Sequence, residues 1–417
     1  MPNQPEPIDD RTPIPIAEID AAGLALAGAV VRTPLVEAAA LSADTGIRLF
    51  LKLENLQVTG SFKARGALIR LLALDRAART AGVVAMSAGN HAQGVAWHAR
   101  RLGIPATIVM PVTTPFTKVE RTESLGASVV LVGDGLAEAQ AQAERLVGER
   151  GLTLIHPYDD HRVMAGQGTV AAEMLADAPD LDTLVVPVGG GGLIAGIASF
   201  VRARHPTVTL IGVQVQGFSP LARKPAADNG GRAQTLAEGI AVKHPGRRTR
   251  AIIEALVDDV VTVEETAVEQ AVESLLERQK QVAEGAGATP LAAVTSDPGR
   301  FAGRKVGLVI SGGNIDNRLL SSLLMRGLVR DGRLARLRIE ISDAPGTLAK
   351  VGALIGAGGG NILEVHHQRL FQDVPVKYAE LDVAVETVDA AHLHAMLETL
   401  RGAGFPTRLL GTSAVGD

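Results

Sequence analysis

The chain has no cysteine, one tryptophan, two tyrosines and eight phenylalanines among 417 residues. Without thiols it can form no disulfide, carry no thiolate nucleophile and build no cysteine-based zinc site. With so few rings, its cores must be filled by Val, Leu, Ile and Ala. It has no strong excess of either charge, the formal net charge being -4, and no long basic cluster. Both absences argue against nucleic acid as a partner. No apolar run approaches the roughly 20 residues a membrane helix needs. The opening MPNQPEPIDD is polar and proline-rich, with neither a cationic start nor an apolar stretch, so it does not read as a secretory signal. A soluble, cytoplasmic protein without a membrane or nucleic-acid partner is the expectation.

What is present is aliphatic. Apolar residues make up 46% and there are 46 glycines, a balance that favours α/β architecture, where buried parallel strands read as aliphatic runs. The length predicts two or three domains. Residues 1–12 read as a flexible arm. VVAMS, ATIVMP, SVVLVG and LTLIHP then alternate with helical stretches such as GLAEAQAQAERLVGERG, followed by TLVVPV, TLIGVQV and KVGLVIS. This βα repeat predicts open, largely parallel sheets in two lobes with a cleft between them, within residues 13–325. The large lobe is expected at about 13–80 and 159–325, the small lobe at about 81–158.

After Leu334 the pattern changes. RLRIEIS alternates strictly, with Leu337, Ile339 and Ile341 on one face. APGTLAKVGALI predicts a helix opened by Pro345, with Leu348, Val351 and Leu354 or Ile355 inward. NILEVHHQRL and VKYAELDVAVE read as strands. Leu393, Met396, Leu397 and Leu400 mark a second helix, and RLL closes the order βαββαβ. Residues 334–411 are therefore expected to form a separate α+β domain, joined near MRGLVRDGR.

Four segments carry candidate chemistry. In Thr59-Gly60-Ser61-Phe62-Lys63-Ala64-Arg65-Gly66, a lysine at a loop-to-helix junction can form a Schiff base if its amine is desolvated; alone, it reads first as a surface lysine. Ser87-Ala88-Gly89-Asn90-His91 follows a strand and opens a helix, offering backbone N–H groups to an anion or simply capping that helix. Gly189-Gly190-Gly191-Gly192-Leu193, again between strand and helix, suits a phosphate but matches neither the P-loop nor the dinucleotide spacing. Ser311-Gly312-Gly313-Asn314 follows KVGLVIS and by itself reads as a turn.

Together and in this order the four resemble the fold-type II pyridoxal-phosphate enzymes, and within them the threonine dehydratases (threonine ammonia-lyases) that carry one C-terminal ACT domain. Ala237-Glu238-Gly239-Ile240-Ala241-Val242 and Glu284-Gly285-Ala286-Gly287-Ala288 look like that family's later cofactor-cleft segments. The resemblance implies pyridoxal 5'-phosphate held covalently by Lys63, which also serves as general base. It implies Asn90 on the ring hydroxyl, Gly189, Gly190, Gly191, Gly192 and Leu193 on the phosphate, and Ser311 facing the ring nitrogen. Ser61 and Phe62 would form a wall, and Ser87, Ala88, Gly89, Asn90 and His91 would grip the substrate carboxylate. The implied reaction is β-elimination of water from L-threonine, with L-serine as a second substrate, giving 2-oxobutanoate and ammonia, in isoleucine biosynthesis or in threonine breakdown. A serine-preferring dehydratase and a non-catalytic amino-acid sensor are the alternatives.

Two positions depart from the relatives that racemise serine. Ala88 stands where they carry a second serine, and Gln214 where they carry an acidic metal ligand, so no Mg²⁺ or Ca²⁺ site is expected there, while a monovalent cation on backbone carbonyls stays open. Asp343-Ala344-Pro345-Gly346-Thr347-Leu348 and Gly360-Asn361-Ile362 resemble an ACT domain. That implies an amino-acid effector near Asp343, Gly346 and Asn361, and a homo-oligomer, dimer or tetramer. The adjacent His366 and His367 face opposite sides of a strand and read as ordinary strand residues.

Overall fold

The computed structural model describes residues 12–222, 234–368 and 377–410. All but the last residue of the expected N-terminal arm lies outside them, as do Arg369, Leu370 and Val376 of two expected strands. The chain divides between Ile315 and Asp316 into two compact units.

The first unit opens with α1 (Ile16–Leu26), β1 (Leu35–Glu37), α2 (Ala39–Thr45), β2 (Arg48–Leu53), α3 (Lys63–Leu72) and α4 (Arg76–Ala81). A second stretch runs β3 (Val83–Met86), α5 (Asn90–Arg101), β4 (Ala106–Met110), α6 (Phe116–Ser124), β5 (Ser128–Leu131), α7 (Leu136–Arg150) and β6 (Thr153–Leu154). The third comprises α8 (His161–Asp177), β7 (Thr183–Pro187), α9 (Gly192–Arg204), β8 (Thr209–Val215), α10 (Arg247–Leu256), β9 (Asp259–Val263), α11 (Glu265–Gln279), α12 (Gly285–Ser296) and β10 (Lys305–Ile310).

Two sheets result. The larger has the order β1-β2-β10-β7-β8-β9 and is parallel except for β1. The smaller, β5-β4-β3-β6, is wholly parallel. β7 is buried at all five positions, as an aliphatic strand covered on both faces should be. Ala, Val, Leu and Ile fill the core around α8, α9 and β7, with Phe200 its one buried aromatic ring. Ends are set locally: the Asp160 carboxylate accepts the N–H groups of Arg162 and Val163 to start α8, and Gly151 stops α7 in the left-handed region at φ 64°. β2 and β9 went unread in the sequence, because RLFLKL and DVVTV carry charged or polar residues inside short runs.

The second unit runs α13 (Asn317–Arg330), β11 (Leu334–Ser342), α14 (Thr347–Ala357), β12 (Asn361–Gln368), β13 (Tyr378–Glu386), α15 (Ala390–Gly402) and β14 (Thr407–Leu410). Its antiparallel sheet has the order β12-β13-β11-β14. Leu337, Ile339 and Ile341 of β11 pack with Val351, Ile355 and the α15 residues Leu393, Met396, Leu397 and Leu400. Three expectations need correction. MRGLVRDGR is the end of α13 and its turn, so α13 belongs with the second unit and the division falls at 315/316. Pro345 does not open α14; Gly346 caps it at φ 85°. Leu348 is consequently one position off the buried face and is exposed, while Thr347 is buried in its place.

Candidate active site

The residues singled out in the first unit meet at the C-terminal ends of the parallel strands, where each strand hands over to a loop and a helix. α3 begins at Lys63 and is pressed from two sides by helices that approach without side chains. A Cβ on Gly66 would lie 2.7 Å from the Val163 carbonyl oxygen, one on Gly166 would lie 2.7 Å from Gly66 Cα, and one on Gly94 would lie 3.2 Å from the Lys63 carbonyl carbon. On its third side the loop is zipped to the end of β10, with Phe62 N donating to Ser311 O at 3.0 Å and Gly313 N to Gly60 O at 2.9 Å. These bonds bring Ser311, itself buried, beside the lysine loop.

Below the start of α3 lies a closed charge network. Arg65 donates from Nε and Nη2 to Glu54 at 2.9 and 2.7 Å, and from Nη1 and Nη2 to Glu173 at 2.6 and 2.8 Å. Lys52 Nζ donates to Glu173 Oε2 at 2.5 Å and to the Thr33 carbonyl at 2.6 Å. Two cations thus face two carboxylates, which is how buried charge is tolerated. Burial alone would raise the Glu54 pKa, but the charge and hydrogen bonds of Arg65, with help from Thr33, hold it below the ordinary carboxylate value.

Lys63 itself is half-buried. Its Nζ donates to Pro157 O at 2.7 Å and stands 5.1 Å from the centre of the Phe62 ring. Desolvation brings the amine down to about 8, against a smaller upward pull from Glu284. An amine in that range is a far better nucleophile and base at neutral pH than a solvated lysine.

The tetraglycine segment lies between β7 and α9, with Gly191 as the N-cap at φ 95°. The glycines are demanded by protein neighbours. A Cβ on Gly190 would fall 2.2 Å from the Tyr158 ring, one on Gly189 2.8 Å from Ile240 Cα, and one on Gly192 2.9 Å from Tyr158 Cα. Thr249 Oγ1 donates to Gly190 O at 2.6 Å, turning the loop's carbonyl away from the helix end. The N–H groups of Gly192, Leu193 and Ile194 are in the first turn of α9, where no preceding carbonyl can accept them, so the segment suits an anion.

Gly89 caps α5, and Ser87 Oγ accepts from Gly89 N at 3.2 Å. Ala88 packs against the small-lobe core. Asn90 is tied at both ends of its amide, to Glu284 and to Asn314. The His91 ring is buried, its Nε2 lies 2.8 Å from the Ile155 carbonyl, and desolvation, with the Lys63 charge, drives its pKa to about 3. His91 therefore offers an anion its backbone, not its imidazole. Gln214 is likewise spoken for, accepting from Leu221 N at 2.9 Å and donating to Val188 O at 3.3 Å.

These residues fit pyridoxal 5'-phosphate. Three features await a polar ligand: a lysine amine withdrawn from water, a helix N-terminus at a glycine loop, and the Ser61 hydroxyl, fully buried with no hydrogen-bond partner among the described residues. Sequence reading missed the Pro157–Tyr158 corner that supports both the amine and the glycine loop, and the network under α3.

In the second unit the structure separates the three expected effector residues. Asp343 follows the end of β11 opposite Tyr378, and Gly346 shares its loop. Asn361 opens β12 opposite Glu386, at the other end of the same sheet, about eight residues or roughly 27 Å away. One copy of the unit does not bring Asn361 to the other two.

A family model described as "Pyridoxal-phosphate dependent enzyme" matches residues 26–312. The chain is 42% identical to the L-threonine ammonia-lyase of Thermotoga maritima over 401 residues, covering 95% of this chain and 100% of that protein. It is 44% identical to the L-threonine ammonia-lyase of Geobacter sulfurreducens, over 90% of this chain and 94% of the relative. Among solved structures, a threonine deaminase from T.th. matches with a TM-score of 0.68 and 40% identity, over 72% of this chain and 98% of that one. Maize serine racemase matches with a TM-score of 0.71 and 33% identity, over 76% and 99%.

Proposed function

Because the chain belongs to the pyridoxal-phosphate dependent enzyme family, we propose that it converts L-threonine to 2-oxobutanoate and ammonia, with L-serine as a second substrate. The observation that carries this is the Lys63 amine, held 2.7 Å from the Pro157 carbonyl and poised near pKa 8, in the cleft with the α5 and α9 N-termini. Pyridoxal phosphate, when bound, supplies an electron sink that eases loss of the Cα proton and the β-hydroxyl. Lys63 anchors it and, once free, moves the Cα proton as general base. Gly189 to Leu193 take the phosphate, Asn90 the ring oxygen and Ser311 the ring nitrogen. Ser87, Ala88, Gly89 and the backbone of Asn90 and His91 orient the substrate carboxylate. A serine hydroxyl does not force the ring nitrogen to be protonated, which favours elimination over amino transfer.

Serine remains a substrate in this reading because one methyl group discriminates by only about 1–3 kcal/mol. The second unit is proposed as an ACT-type module binding an amino-acid effector at the Asp343–Gly346 loop, where the first turn of α14 offers N–H groups to a carboxylate. Asn361 would join such a site only from a second copy of the chain, in a dimer or tetramer. We place the protein in the cytoplasm as part of this proposal; no described helix is long and apolar enough to cross a membrane.

The test is to supply the purified protein with L-threonine, L-serine and D-serine in turn and measure 2-oxo acid and ammonia. Release from L-threonine that vanishes in Lys63→Ala supports the assignment. Silence with all three, cofactor bound, would reject it.

A further inference from the structure

Asn90 sits in a chain of side-chain hydrogen bonds linking segments more than 190 residues apart. Its Nδ2 donates to Glu284 Oε1 at 2.7 Å, and its Oδ1 accepts from Asn314 Nδ2 at 2.7 Å. Asn314 Nδ2 uses its other hydrogen on the Thr59 carbonyl, at 2.8 Å. The Asn314 backbone amide also favours the charged form of the Glu284 carboxylate.

The donor count leaves one arrangement. A primary amide has two N–H hydrogens on one side and an acceptor on the other. Turning the Asn314 amide over would set its oxygen against two oxygens, those of Thr59 and Asn90. Turning Asn90 over would set its oxygen against the Glu284 carboxylate and its NH₂ against the NH₂ of Asn314. With both fixed, Asn90 keeps one N–H uncommitted. Two glycines make room for this chain. A Cβ on Gly60, at φ 71°, would lie 2.6 Å from Asn314 Oδ1, and a Cβ on Gly312 would lie 2.5 Å from Glu284 Oε1.

We propose that Asn314 and Glu284 are positioning residues for Asn90, holding its carboxamide so that the remaining N–H recognises the ring oxygen of the cofactor. The inference rests on the cofactor reading above and assigns Asn314 and Glu284 a role beyond lining the cleft. A carboxylate acceptor makes the Asn90 bond charge-assisted, so it fixes the rotamer more firmly than a neutral partner would. Burial raises Glu284 to about 7, so it accepts as the anion above neutral pH.

The experiment compares two ligands by equilibrium binding to cofactor-free protein: pyridoxal phosphate and its 3-deoxy analogue, which lacks the ring oxygen. Wild type should prefer pyridoxal phosphate. Asn314→Ala, which frees Asn90 to rotate, should weaken pyridoxal phosphate roughly tenfold, the size of one hydrogen bond to a charged group, and leave the analogue unchanged. Asn314→Asp keeps the shape but cannot donate, and should behave the same way if the alanine variant does not fold. Glu284→Gln retains an acceptor and should keep most of the preference. Equal losses for both ligands, or no loss for either, would overturn the relay. A wild type that binds neither ligand would overturn the cofactor reading, and the relay with it.

Discussion

Arginine meets carboxylate in both units, in opposite surroundings. Beneath α3, Arg65 is wholly buried and each carboxylate it touches belongs to a different element, Glu54 in the turn after β2 and Glu173 in α8. On the C-terminal sheet, Arg338 bonds Asp382 through Nε and Nη2 at 2.6 and 2.8 Å; the carboxylate is buried at 3% exposure, but the guanidinium side chain stays 27% exposed. There Arg336, Arg408 and Glu380 crowd the same face. The two clusters look alike as sets of contacts and differ in what they do. The buried one costs a great deal to desolvate and ties the first turn of α3, which begins at Lys63, to the turn after β2 and to α8. The second, with its guanidinium partly in water, lines a strand face and contributes mainly register.

That contrast can be broken by substitution. Arg65→Ala leaves the buried Glu54 and the part-buried Glu173 with only Lys52 to balance them, and should cost about 3–5 kcal/mol of stability with loss of cofactor retention. Denaturant unfolding and bound-cofactor absorbance measure both; a loss below about 1 kcal/mol, the ceiling for an exposed pair, would place the two clusters in one class. Arg338→Ala should move the unfolding midpoint far less, and less still in molar salt, whereas the Arg65 effect should be insensitive to salt.

The smallest effect concerns acid. The Arg338 hydrogen bond and charge hold Asp382 below its ordinary 3.8. A carboxylate depressed on folding adds stability above its unfolded value, and that stability is lost as pH falls through the folded value. Asp382→Asn should therefore lower stability slightly at pH 7 and flatten the decline below about pH 4. An unchanged acid limb in the variant would show that the pair contributes nothing.

The site was legible where chemistry sits next to its own strand. Lys63, Asn90, Gly189–Leu193 and Ser311 each stand at a loop that opens a helix or closes a strand, which local pattern shows; singly they read as a surface lysine, a cap or a turn, and only their order, through the family resemblance, pointed to one cleft. The network under α3 was not legible, because Lys52, Glu54, Arg65 and Glu173 are ordinary charged residues, and Glu173 meets its two cations across more than a hundred positions. One hint existed: Arg65 lies among Ala64, Ala67, Leu68 and Leu71, on a helix buried on nearly every side. Asn314 and Glu284 were visible as cleft residues, but a hydrogen-bond partner 224 or 194 residues away leaves no trace in spacing. The strands of the C-terminal unit were readable from alternation, yet the register that separates Asn361 from Asp343 was not. Gly346 caps α14, which starts at Thr347 and turns Thr347, Val351 and Ile355 inward, leaving Leu348 outside.

The central claim is that the Lys63 amine is the covalent attachment point of the cofactor. Reduction of the purified protein, loaded with pyridoxal phosphate, with borohydride, followed by proteolysis and mass spectrometry, tests it directly. The account predicts a phosphopyridoxyl group on the peptide bearing Lys63 and on no other lysine. A stable adduct at a different lysine, or none despite bound pyridoxal phosphate, would contradict it.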